Sequence, residues 1–155
     1  MRIFRVAIIL VASVFLLTTH VNTAEANADL SGTWIGTWTS LNAPTYNGAI
    51  SLYINQNGDS ISGKALVGNT KCSPQRTFTG WLSGKYDNFV EFELASVDNP
   101  SQPISTMWGA ITRARNAIST VYNFDTDSSQ CYGDVGTMFI SKVQPYSQIQ
   151  DTQAK

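Results

Sequence analysis

The chain has a single histidine, His20, only two cysteines, Cys72 and Cys131, and charged side chains at just 14% of its 155 positions. His20 lies in an N-terminal segment that reads as removable, so the folded remainder contains no imidazole. That absence excludes Ser-His-Asp and Cys-His nucleophile activation and every histidine-bearing metal site. No glycine-rich phosphate loop, glycosylation sequon or clear helical stripe is present either. The long apolar run from Val6 to Leu17 falls short of the roughly 20 residues that a membrane-spanning helix needs.

That run follows Arg2 and Arg5 and precedes the small-residue site Ala26-Asn27-Ala28. Together these features predict a signal peptide over 1–28, a mature chain starting at Asp29, and no membrane insertion after cleavage. Without the leader, eight Lys/Arg face ten Asp/Glu, a net charge of −2. Such a chain has no basic field for nucleic acid or an anionic membrane. The 127 residues that remain suit a single domain with one core. Export, to the periplasm or the extracellular medium, implies an oxidising environment in which Cys72 and Cys131 form a disulfide.

What is present is period-two alternation, rich in β-branched and aromatic residues and broken by Gly, Asn, Asp and Pro. It predicts eight strands: Ser31 to Ser40, Asn47 to Gln56, Ser60 to Val67, Arg76 to Gly84, Phe89 to Ser96, Ile104 to Thr112, Ala117 to Asp125 and Val135 to Val143. One barrel domain over 29–143 is expected, with a flexible tail over 144–155. The second, fourth and sixth connections are short, with Asn57-Gly58-Asp59 the strongest hairpin signal. The other four are longer, and three of them carry Pro44, Pro74, and Pro100 with Pro103. In an eight-stranded antiparallel up-and-down β-barrel, all the long connections lie at one end. Cys72 and Cys131 fall in the third and seventh connections, so their disulfide would brace that end.

Apolar parity assigns the barrel interior. Trp34 and Trp38, then Ile50, Leu52 and Ile54, then Val90, Phe92 and Leu94 point inward, leaving Glu91 and Glu93 in water. On the sixth strand the same reasoning places Thr106 and Trp108 inward. Strands six to eight alternate less cleanly: Met107, Ile111, Val121, Met138 and Ile140 then face outward, either as a patch through which the outer faces of these strands would form a homo-oligomer or because the parity of one strand is inverted. Inward residues near the long-connection end form the expected ligand mouth: Trp38, Val67, Leu94, Tyr122 and Phe124, with Phe78, Thr106 and Trp108 opposite.

No catalytic constellation emerges, and the chain is read as a non-enzyme without a cofactor. Glu91 and Glu93 share one side of a strand, as paired carboxylates would, but their neighbours make that side the solvated one. Asp125-Thr126-Asp127-Ser128-Ser129 has the alternating oxygens of a calcium loop without its glycine or terminal glutamate. No metal site is assigned.

Asp29-Leu30-Ser31-Gly32-Thr33-Trp34 resembles the opening Gly-x-Trp strand of calycin barrels. The turn Gly84-Lys85-Tyr86-Asp87 and the closing Phe139-Ile140-Ser141-Lys142-Val143 are similar to the avidin and streptavidin family. That resemblance implies an eight-stranded meander and a ligand at the barrel mouth. Ser40 matches one of the family's hydrogen-bonding serines, and Thr106 with Trp108 matches its Thr-x-Trp pair. Gly36 and Ala65-Leu66-Val67 replace expected polar positions, and Asp134 does not fall in clear register with the family's aspartate, so biotin itself is disfavoured. The expectation is an exported binding protein that takes a small apolar or aromatic ligand in its mouth. The competing reading is a protein-interaction or inhibitor module that uses the long-connection end.

Overall fold

The structure is a computed structural model that describes residues 29–87, 89–126 and 130–144. The expected signal peptide, nearly all of the expected tail, and Asp127 to Ser129 of the calcium-like segment lie outside the described residues. The strands are β1 (Gly32–Ser40), β2 (Asn47–Asn57), β3 (Ser60–Thr70), β4 (Ser73–Tyr86), β5 (Val90–Ser96), β6 (Asn99–Ile111), β7 (Ala117–Asn123) and β8 (Val135–Lys142). Each pairs antiparallel with the next and β8 pairs with β1, closing an up-and-down barrel in sequence order. The result is the expected all-β architecture, compatible with a calycin-like fold. Among the described residues no helix is long and apolar enough to cross a membrane.

The interior is built by the alternation that marked the strands. Trp34, Leu52, Phe92, Ile118 and Ile140 are fully or almost fully buried in its middle. At the end with short connections, Leu30 plugs the barrel, and the indole Nε1 of Trp34 donates to its carbonyl at 2.8 Å. Closure requires close contact between β1 and β8: a Cβ at Gly36 would sit 1.9 Å from the Phe139 carbonyl oxygen. Here the resemblance expected a polar side chain, and this barrel has no room for one.

Two of the expected long connections prove to be strand. β3 runs on to Thr70 and β4 starts at Ser73, so only Lys71 and Cys72 join them. β5 and β6 are likewise joined by Val97 and Asp98 alone. At this end the chain extends as hairpins, which keeps the backbone paired where an irregular loop would leave its polar groups to solvent. The first and seventh connections, 41–46 and 124–134, remain long.

The inward parities of β1 to β5 and of β7 are as expected, whereas those of β6 and β8 are reversed. Met107, Met138 and Ile140 are buried, and Trp108 is 48% exposed. Residues directly opposite each other in a ladder share a face, and the register fixes the outcome. Trp108 lies opposite the outward Glu91 and Thr106 opposite Glu93, while Met138 and Ile140 lie opposite Trp38 and Gly36. The expected outer patch therefore loses three of its five members to the core. Ile111 is half-buried against that core, and Val121 alone stands fully outside.

Candidate functional site

The end of the barrel that carries the first and seventh connections is cross-braced. Cys72 and Cys131 form the expected disulfide across it. Asn42 Nδ2 donates to the Gly133 carbonyl at 2.7 Å, and the Leu41 amide donates to Val135 O at 2.8 Å. Thr126 Oγ1 donates to Pro103 O at 2.7 Å, tying the seventh connection to β6 as well.

Beneath these braces lies an apolar cup. Trp38, Val67, Leu94, Tyr122 and Phe124 line it as expected, joined by Met107 and Met138 among others. Tyr122 meets the Trp38 ring edge-on at 5.9 Å between centroids and the Phe124 ring at 5.8 Å, the favoured geometry for aromatic pairs. Trp38 Nε1 donates to the Gly68 carbonyl at 2.9 Å, so its indole is fixed. The space that a water-sized sphere can occupy in the cup is about 30 Å³, enough for about two waters.

One carboxylate is sealed at the rim. Asp134, 1% exposed, accepts from Ser40 Oγ at 2.5 Å and from the Tyr122 hydroxyl at 3.1 Å. The Ala43 amide in turn donates to Ser40 Oγ at 2.9 Å. Burial, then the charge of Asp134, then the hydrogen bond to it hold the Tyr122 phenol well above its ordinary 10.0. Ser40 is thus committed to Asp134 rather than offered to the cup. The network joins β1, β7 and the seventh connection, and it orders the rim.

The other expected site residues lie elsewhere. Phe78 is half-buried and lines a neighbouring groove. Thr106 and Trp108 stand on the outer wall, where Thr106 Oγ1 donates to Asp125 Oδ2 at 3.4 Å. Sequence reasoning missed Met107 and Met138 of the lining and the part played by Asp134. Glu91, paired with Trp108, was the signal that could have placed Trp108 outside. The signal was unreadable because the long connection expected between these strands leaves their pairing register open, and only the fold sets it. Glu91 and Glu93 are exposed, as expected, and among the described residues no group of three His, Cys, Asp or Glu could hold a metal ion.

No family model matches the chain, and no curated protein matches it in sequence. The functional reading therefore rests on the barrel and its braced end.

Proposed function

We propose that this chain is an exported, non-enzymatic binding module whose braced end receives a protein partner, with an apolar side chain of that partner resting on the rim of the cup. The size of the cup carries the reading. Pockets for small molecules usually hold some 300–1,000 Å³, and about 30 Å³ leaves no place for a biotin-sized ligand without repacking Leu94, Met107 and Met138. The rim is preorganised by the disulfide and the Ser40–Asp134–Tyr122 network, which lowers the ordering cost of binding. Export draws support from the leader-like segment and from a disulfide, which persists in oxidising compartments.

The test is a selection of phage-displayed random peptides on the intact protein, with a parallel thermal-shift panel of biotin and small apolar molecules. Enriched peptides should carry an apolar anchor and bind at least tenfold more weakly to Phe124→Ala, whose ring forms part of the cup wall. A panel compound that raises the melting temperature, with no peptide enriched, would return the reading to a small-molecule binder.

A further inference from the structure

The strands around the cup end at different heights. Pairing between β4 and β5 stops at Gly80↔Ser96, yet β4 begins seven residues earlier, at Ser73. Thr77, Phe78 and Thr79 pair with Gly68, Val67 and Leu66 of β3 on one side and, among the described residues, with no strand on the other. Across the gap stand the β5–β6 turn and the irregular start of β6. Between them runs an open groove of about 500 Å³, with Phe78 and Ile104 in its floor and Ser96, Asp98, Asn99 and Gln102 on its rim.

Hydrogen-bond parity identifies the backbone groups that face this gap. The Tyr86 amide donates to Asp59 O, on the β3 side, at 2.9 Å, and the β3–β4 register runs without a shift from Lys85 to Thr77. Because alternate residues of a strand bond to opposite neighbours, even-numbered residues of β4 serve β3. Thr77 and Thr79 therefore turn their N–H and C=O groups toward the gap. Pro74 has no N–H to offer, and Gln75, at φ 57°, leaves strand geometry, so the open edge is short, from Arg76 to Thr79. Natural sheets blunt long edges with such devices; here they stop just short of the groove.

We propose that this edge takes an extended peptide segment of the partner by strand addition. Thr77 and Thr79 supply two donors and two acceptors to the peptide backbone, and alternate peptide side chains face the floor at Phe78 and Ile104. Repeating backbone amides are the feature that such an edge recognises. The peptide it fits is apolar at the inward position and free of carboxylate beside Asp98. This mode rests on the reading of the braced end as a protein-binding surface.

The peptides selected above provide the probes. Thr77→Pro removes an N–H that no strand among the described residues uses, and proline is tolerated at an open edge. The expected result is at least a tenfold loss of peptide affinity for Thr77→Pro, with an unchanged denaturation midpoint and no comparable loss for Thr77→Val. Methylation of alternate peptide nitrogens should cause a similar loss, and bound peptide should slow amide exchange at Thr77 and Thr79. Peptides that lose affinity for Phe124→Ala but bind Thr77→Pro normally, without slowing exchange at those amides, would overturn strand addition and leave the protein-binding reading intact. Peptides indifferent to both variants would overturn both.

Discussion

Individual buried polar groups are the most exacting part of this barrel. The Tyr122 phenol keeps its proton in the folded state to a higher pH than in the unfolded chain, where it ionises near 10.0. Above that pH the unfolded state binds fewer protons than the native state, so stability falls as pH rises. Urea titrations between pH 9 and 11 should show a decline that approaches about 1.4 kcal/mol per pH unit from this group, and Tyr122→Phe should remove that share. An equal decline in the variant would mean that Tyr122 is not the group responsible. Thr120 is a different case: its Oγ1 is buried with no hydrogen-bond partner among the described residues. Thr120→Val keeps the shape and removes the unsatisfied hydroxyl, and should raise stability by about 1 kcal/mol. The denaturation midpoint would shift upward at constant m-value.

Among the elements, β6 shows where a strand's pattern misleads. Thr106 and Trp108 have the size and polarity of mouth residues, but Met107 is the residue inside. Met107→Ala should therefore cost about 2–4 kcal/mol through the cavity it leaves, while Trp108→Ala should change stability by no more than about 0.5 kcal/mol. Reversed magnitudes in equilibrium denaturation would restore the parity read from sequence. The strands with clean alternation, such as β2 with Ile50, Leu52 and Ile54, were legible because one face is apolar and the other polar. On β6 and β8 both faces carry apolar side chains, so the pattern alone has no preferred phase. There the phase is set by the neighbouring strand.

For the whole molecule, closure and the disulfide act on different states. Pairing of β1 with β8 stabilises the native barrel, whereas the Cys72–Cys131 bridge, spanning 59 residues, chiefly restricts the unfolded chain. The loop-entropy relation gives about 4 kcal/mol for a loop of that length. Replacing both cysteines with serine should lower the unfolding free energy by an amount of that order, measured in denaturant under non-reducing conditions. If the variant matched the wild type, the unfolded chain would have to be held by other contacts. The bridge also holds the β3–β4 hairpin against the seventh connection, so peptide affinity should fall along with stability.

The sequence by itself determined the eight strands, their antiparallel order, the elaborated end and the cysteine pair, because alternation, turn residues and a meander's parity are local properties. It also placed Trp38, Val67, Leu94, Tyr122 and Phe124 at the mouth, from the alternation of apolar and polar residues along the chain. Tertiary structure decided the rest. Pairing with the outward Glu91 put Trp108 outside, ladder partners on β1 brought Met138 and Ile140 inside, and the fold carried Asp134 to Ser40 across 94 residues of chain. The filling of the cup, and the free edge left where β4 outgrows β5, depend on how strands of unequal length meet in space, and no local pattern encodes that.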